Sequence, residues 1–287
     1  MFAMAGPAAS TISPDALSAA RAAAAAMGGN VQGAVPPSSS FSYMSDDTAK
    51  GLSQETRDDF TAREKALKDE DIRLKTHTAQ TQKAFDDGKI SEAKYQFYMD
   101  QLKSDRNEPH YGFEADKTAL KEDQTAAGRA VEAIADVSPK MGVKTPPPVS
   151  FIKDKYPSAT TDVENGKITF SKGIIDLTNK QELNFMAGHE LAHNTLAHKK
   201  EGMAFELEAD AAAVKATCDL GAAKSALTKL YSDKLYAEGQ AKTGHPTHPP
   251  LETRISNMQN VYDHSDCKAA PTPPGRAPDN APSVPPR

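Results

Sequence analysis

Hydrophobic residues recur at helical spacing along most of the chain, which predicts a mostly helical protein. In the charged segment 53–104 the apolar positions are sparse, and they are Phe60, Leu67, Leu74, Tyr95, Tyr98, Met99 and Leu102. Asp86–Lys89 interrupts this pattern, so two helices forming a hairpin are predicted. A core this thin does not support an independent domain. The favoured interpretation is a solvated helical arm, and the alternative is a segment that covers a cleft or recruits a partner.

The middle of the chain predicts a small sheet between helices. A helix over about 115–136 has Leu120 and Ile134 on one face, and two short strands follow at 149–152 and 167–171. A helix from about 180 to 199 comes next, and Thr178 is its expected N-cap, with Gln181 three residues later as its capping-box partner. A second helix begins at Met203. The predicted fold class is therefore α+β, mostly helical with a small sheet.

The composition divides the chain into four parts. Residues 1–50 form an Ala/Ser/Pro-rich disordered leader with a short alanine helix near 14–27, and residues 51–118 form the arm. Residues 119–265 form the main domain, and residues 266–287 form a Pro-rich disordered tail. Only 38% of the 287 residues are hydrophobic and 20 are proline, which argues against one compact domain of the full length.

Charge and hydropathy limit the possible partners. The net charge of −5 and pI near 5.9 offer no basic surface, so nucleic acid is not an expected partner. The longest apolar run, 22–27, is far shorter than the roughly 20 residues of a membrane span. Without a recognisable signal peptide, a cytoplasmic location is expected, and a periplasmic or secreted protein is the alternative. Cys218 and Cys267 are expected to be reduced thiols, with a single disulfide as the alternative.

The candidate chemistry is concentrated in the helix predicted at 180–199, which contains the sequence HELAH. His189 and His193 lie four residues apart and therefore about 40° apart around the helix, so both can bind one metal ion. Glu190 projects about 100° further round, where it can accept a proton without being a ligand. Leu183, Ala187 and Leu191 would give this helix a buried face. The pattern predicts half of a zinc site with its general base.

The next helix can supply the third ligand. Glu206 comes thirteen residues after His193, and in an antiparallel helix pair both lie about 6–9 Å from the turn. Glu206 is therefore the predicted ligand, and Glu208 is the alternative if the helix phase differs. Asp210, one turn further on, can accept the free ring N–H of a ligating histidine. His198 is expected at the surface or beside a ligand.

Three motifs in this order resemble the gluzincin zinc metallopeptidases related to HtpX and the CAAX-prenyl endopeptidases, and most closely the minigluzincins and BepA-type proteins. They are HELAH at 189–193, ExEAD at 206–210 and THPPxxxRI at 247–255, and the resemblance covers about residues 119–262. The long insertion that often precedes the glutamate in that family is absent, as are the membrane helices of HtpX.

The resemblance implies a role for each matching residue. His189, His193 and Glu206 correspond to the zinc ligands, Glu190 to the general base and Asp210 to the carboxylate behind a ligand. His248 corresponds to a histidine that either stabilises the oxyanion or closes the open zinc position, and His245 is its competitor in the same loop. Arg254 corresponds to an arginine that braces the site, and in the expected mechanism it is a second candidate, after His248, for stabilising the oxyanion.

The sequence therefore predicts a zinc-dependent endopeptidase that cleaves a peptide or protein substrate lying extended along the strand at 167–171. The alternative is a latched or inactive module that binds a partner through residues 53–104. A regulatory peptidase of the ImmA type is a third possibility. The THPPxxxRI segment and the lack of an adjacent DNA-binding domain argue against it.

Overall fold

The computed structural model describes residues 41–109, 112–198, 202–243 and 248–269. The alanine helix predicted near 14–27, His245 and the tail beyond 269 lie outside the described residues. Within them the protein is mostly helical with one small sheet, which confirms the predicted α+β class.

Ten helices are described, in chain order: α1 Asp46–Lys50, α2 Gln54–Asp86, α3 Glu92–Asn107, α4 Phe113–Val137, α5 Lys172–Leu177, α6 Lys180–Thr195, α7 Met203–Thr217, α8 Leu220–Ser232, α9 Lys234–Thr243 and α10 Leu251–Asp263. The strands are β1 Val149–Ile152, β2 Ala159–Thr161 and β3 Ile168–Ser171, and short 3-10 helices span Pro139–Met141 and Asp266–Ala269. α2 and α3 form the predicted hairpin of the arm. Gly88 lies in the turn between them and has φ 68°.

The sheet has the order β1-β3-β2. β3 pairs in parallel with β1 and antiparallel with β2, so both of its edges are hydrogen-bonded. The expectation that a substrate would lie along 167–171 is therefore wrong, because that strand is the central one. The outer strand on this side is β2, which the sequence analysis missed because Ala159–Thr161 is only three residues long and carries no hydrophobic alternation.

The segment before α2 covers the outer edge of β1, at the opposite end of the sheet from β2. Leu52 forms a parallel bridge with Val149, and the Ser53 N–H donates to the Val149 carbonyl at 2.7 Å. The Phe151 N–H donates to the side-chain oxygen of Thr56 at 3.0 Å. Consequently β2 forms the remaining outer strand of the described sheet.

The core lies between the sheet, α4 and α6. Phe170 from the sheet, Ile134 from α4 and Leu191 from α6 are all buried in it. Leu52 and Phe60 belong to the same cluster, so the base of the arm packs into the main domain. Leu183, Ala187 and Leu191 are each 1% exposed or less, as the predicted buried face of α6 requires.

α6 begins at Lys180 as predicted, but it ends at Thr195 rather than near 199 and its N-cap differs from the prediction. Its N-cap is Asn179, which forms a capping box with Glu182, whereas Thr178 is the C-cap of α5. α5 was not predicted because it is short and follows β3 directly. The capping box satisfies two backbone N–H groups that would otherwise lack partners, and this fixes where α6 begins.

Cys218 and Cys267 form a disulfide, so the expectation of reduced thiols is wrong. Cys218 is the C-cap of α7 and Cys267 follows the end of α10, so the bond ties these two helices together. Sequence spacing could not reveal the pairing, because the two residues are 49 positions apart. Among the residues that the structure describes, none of the helices has the length and apolar character needed to cross a bilayer.

Candidate metal centre

The site lies between α6 and α7, which pack along each other as the predicted helix pair. A Cβ atom added at Gly188 would lie 3.3 Å from both Cα and Cβ of Ala213. Only a residue without a side chain therefore lets the two backbones approach this closely without displacement. This close approach brings the carboxylate of Glu206 on α7 to the imidazoles on α6.

The three predicted ligands converge. Nε2 of His189 lies 3.2 Å from Nε2 of His193, and each faces the Glu206 carboxylate, at 3.2 Å and 3.6 Å respectively. Their ligand atoms all lie within 4.8 Å of one another. Two imidazole nitrogens and one carboxylate oxygen form a donor set typical of a catalytic zinc site, in which the fourth position is open.

Glu206 gives an independent indication that this donor set fits a cation. The residue is 7% exposed, and no hydrogen bond among the described residues reaches its Oε2 atom. A buried carboxylate oxygen without a hydrogen bond is costly unless it binds a cation. This Oε2 atom faces Nε2 of His189 at 3.2 Å, and the other carboxylate oxygen faces Nε2 of His193 at 3.6 Å, so the residues present fit zinc.

The charges of the two histidines differ. Burial lowers the pKa of His189, but Asp210 and Glu206 outweigh this effect and raise it to about 10. Burial and the neighbouring His189 cation lower the pKa of His193 to about 4. Burial also raises the pKa of Glu206, but the His189 cation reverses this and lowers it to about 2. Near neutral pH the metal-free site therefore contains a protonated His189, a neutral His193 and an ionised Glu206.

Glu190 is 5% exposed and is held by the outer strand of the sheet. The Thr161 hydroxyl lies 2.8 Å from both the side-chain Oε2 and the backbone oxygen of Glu190. Burial raises the pKa of Glu190, and the His189 cation and the Thr161 hydroxyl partly offset this. A raised pKa favours a carboxylate that accepts a proton during the reaction and gives it back.

Behind His189 lies a buried ion pair. The Nδ1 atom of His189 lies 3.0 Å from Oδ1 of Asp210, whose carboxylate also accepts two hydrogen bonds from Arg254, at 2.7 Å and 2.8 Å. Asp210 is 0% exposed and Arg254 is 2% exposed. The guanidinium is thus committed to Asp210, and its Nη2 atom is 3.9 Å from Oε2 of Glu206. Arg254 therefore lies behind the ligands, in contact with Asp210.

His248 lies at the open side of the site. Its Nε2 atom is 3.5 Å from Oε2 of Glu206, and about a third of its side chain (32%) is exposed. Burial lowers its pKa, with Glu206 acting in the opposite direction. Its competitor His245 falls outside the described residues.

Two residues beside the site have contacts that the sequence analysis did not assign. Thr161 had no signal, because its strand was not recognised. His198 was expected only beside a ligand or at the surface, and the structure places its Nδ1 atom 3.0 Å from Nδ1 of His193. Glu208, the alternative ligand, instead contacts Nε2 of His198 at 3.1 Å. The HExxH spacing fixes His189 and His193, whereas the Thr161 contact depends on β2 and the contacts of His198 depend on the turn after α6.

Comparison with known proteins gives one match. Residues 124–205 match the model of peptidase family M48, whose members are zinc-dependent. No curated protein and no solved structure matches the chain. The matched segment contains His189, Glu190 and His193 and ends one residue before Glu206. The assignment of Glu206, Asp210, His248 and Arg254 therefore depends on the geometry above, and the match shows similarity to peptidase family M48 over residues 124–205 alone.

Proposed function

We propose that the protein is a zinc-dependent endopeptidase with His189, His193 and Glu206 as the metal ligands and Glu190 as the general base. The observation that carries this proposal is the convergence of the ligand atoms of His189, His193 and Glu206, which all lie within 4.8 Å of one another. The similarity of residues 124–205 to peptidase family M48 agrees with it. The resemblance to the HtpX and CAAX-prenyl type is part of the proposal.

The roles follow from the positions of the side chains. Zinc, when bound, polarises the substrate carbonyl and lowers the pKa of water towards about 7. Glu190 accepts the proton of the attacking water and passes it to the leaving amine. His248 stands at the open side, where it stabilises the negative charge that develops on the carbonyl oxygen. Arg254 acts through Asp210 by holding His189 in place.

The substrate would lie along β2. This outer strand contacts α6, and Thr161 joins it directly to Glu190. An extended peptide can pair with the outer edge of such a strand through backbone hydrogen bonds, which would bring its carbonyl beside the base.

The disulfide supports the alternative location. Disulfides persist in oxidising compartments and are rare in the cytosol. We therefore infer a periplasmic or secreted protein rather than a cytoplasmic one. Alkylation of thiols before cell lysis tests this, because a reactive Cys218 in the native cell would contradict it.

The proposed activity is tested by Glu190→Gln and His193→Ala. Glu190→Gln should retain zinc and lose casein cleavage by about 10²–10⁴-fold, because the ligands remain and the base is removed. His193→Ala should lose zinc, measured by elemental analysis. The matched controls are Glu132→Gln and His264→Ala, which change exposed residues outside the site. Cleavage by Glu190→Gln at the parental rate would show that Glu190 is not the base, and unchanged zinc in His193→Ala would refute the ligand set.

A second candidate function is a latched module that binds a partner through its arm. Ile72 is 63% exposed and Phe97 is 58% exposed on the arm, and aromatic side chains such as Phe97 are enriched at protein contact surfaces. In this case His248 would close the site. Partner binding that resists chelators, with no cleavage in a peptide library, would favour this function over proteolysis.

A further inference from the structure

The turn after α6 returns the chain to the metal site. The Ala197 N–H donates to the Asn194 carbonyl and the His198 N–H donates to the His193 carbonyl, at 3.2 Å and 3.0 Å. Ala197 has φ 54°, in the left-handed region. Together these features form a Schellman motif, which usually has glycine at this position because a side chain is disfavoured there. The motif places His198 beside His193.

The side chain of His198 is enclosed. It is 4% exposed, its Nδ1 atom lies 3.0 Å from Nδ1 of His193, and its Nε2 atom lies 3.1 Å from Oε2 of Glu208. The Phe205 ring packs against it with a centroid distance of 4.7 Å. Both ring nitrogens of His198 therefore have defined partners, although His198 is not itself among the converging ligands.

The direction of these hydrogen bonds follows from the metal site. His193 can bind a metal through Nε2 only if that atom carries no proton, so the proton of its neutral ring is on Nδ1. Nδ1 of His193 must then donate to Nδ1 of His198. His198 accepts with Nδ1 and carries its own proton on Nε2, where the Glu208 carboxylate is the acceptor. The Glu208 carboxylate thus fixes the tautomer of His198, and His198 in turn keeps the proton of His193 on Nδ1, so that Nε2 of His193 can bind the metal.

We propose that His198 is a positioning residue of the metal centre. It accepts the Nδ1 proton of His193, Glu208 holds it in the accepting tautomer, and the two together present Nε2 of His193 to the metal. Asp210 plays the corresponding role for His189, since its carboxylate accepts the Nδ1 proton of His189 directly. This inference rests on the proposed function, because it concerns the same zinc site.

The test measures zinc affinity by chelator competition on the full-length protein, without reference to cleavage. His198→Leu removes the acceptor and should weaken zinc binding by about 10–100-fold, the usual cost of losing a partner of a ligand. His198→Asn places an amide oxygen near the Nδ1 position, so it should bind zinc about tenfold more tightly than His198→Leu. Loss of packing alone would not be restored by Asn. The melting temperature of each zinc-free variant shows whether it is folded.

Glu208→Ala provides a second measurement that does not depend on the packing of His198. Its side chain is 59% exposed, so the substitution should be tolerated, and we expect a smaller loss of zinc affinity in the same direction. Glu238→Ala is the matched control, since Glu238 is 52% exposed and lies on α9. If His198→Leu does not fold, His198→Asn and Glu208→Ala decide the question.

The possible results separate the two proposals. A parent protein that binds no zinc would refute the proposed function and this inference with it. A parent that binds zinc, together with a folded His198→Leu variant of equal affinity, would refute the inference alone. Unchanged affinity in Glu208→Ala would remove Glu208 from the chain of contacts.

Discussion

The buried pair of Asp210 and Arg254 gives the sharpest test of how this site is held together. We consider Arg254→Met, which keeps an unbranched side chain of similar length and removes the charge. The change leaves Asp210, which is 0% exposed, without the two hydrogen bonds of 2.7 Å and 2.8 Å that it accepts from the guanidinium. The loss should therefore destabilise the fold as well as the metal site.

The magnitude follows from what remains around Asp210. Removing one member of a buried ion pair usually costs about 3–5 kcal/mol, because the other charge stays buried and unpaired. Here His189 still faces Asp210, with Nδ1 at 3.0 Å from Oδ1, and it is protonated in the metal-free protein. We therefore expect a loss at the lower end, about 3 kcal/mol, which corresponds to about 6–12 °C in melting temperature for a domain of this size.

The assay is thermal unfolding in the presence of a chelator, because bound zinc would add its own stabilisation. Arg73→Met is the matched control: Arg73 is 44% exposed and pairs with Glu70 at the surface, so the loss should be below about 1 kcal/mol. If Arg254→Met is as stable as Arg73→Met, the reasoning is wrong.

Three further predictions concern the surroundings of the site. Thr161→Val should lower the cleavage rate and Thr161→Ser should retain it, because the hydroxyl is the group that contacts Glu190. Equal rates of the two variants in steady-state kinetics would show that this contact does not contribute to cleavage. Replacing Cys218 and Cys267 by Ser should destabilise the protein by about 2–4 kcal/mol, because their bond closes a long loop; an unchanged urea midpoint would contradict this. The pKa of His189 is raised from 6.5 to about 10 in the metal-free protein, so its contribution to stability is fully present below pH 6.5 and is lost as the pH rises through 10. The melting temperature of the chelated protein should accordingly fall between pH 7 and 10, and a rise over this range would exclude that charge state.

The sequence was a reliable guide where one local pattern was enough. The break at 86–89 predicted the hairpin of α2 and α3, and the apolar face of residues 115–136 predicted α4. It failed for β2 and α5, which are too short to show a period. It also favoured reduced cysteines, because spacing along the chain does not show that the end of α7 lies beside the end of α10.

The sequence by itself determined the chemistry that can occur: HELAH on a helix puts two imidazoles on one face with a carboxylate beside them, since helical geometry alone fixes residues four apart. The tertiary structure decided how that chemistry is supported. Gly188 lets α7 approach closely enough for Glu206 to reach the histidines. Thr161 contacts Glu190 from the outer strand β2, and Arg254 donates hydrogen bonds to Asp210 behind His189. These contacts join residues far apart in the chain, and they exist only because packing brings separate elements together.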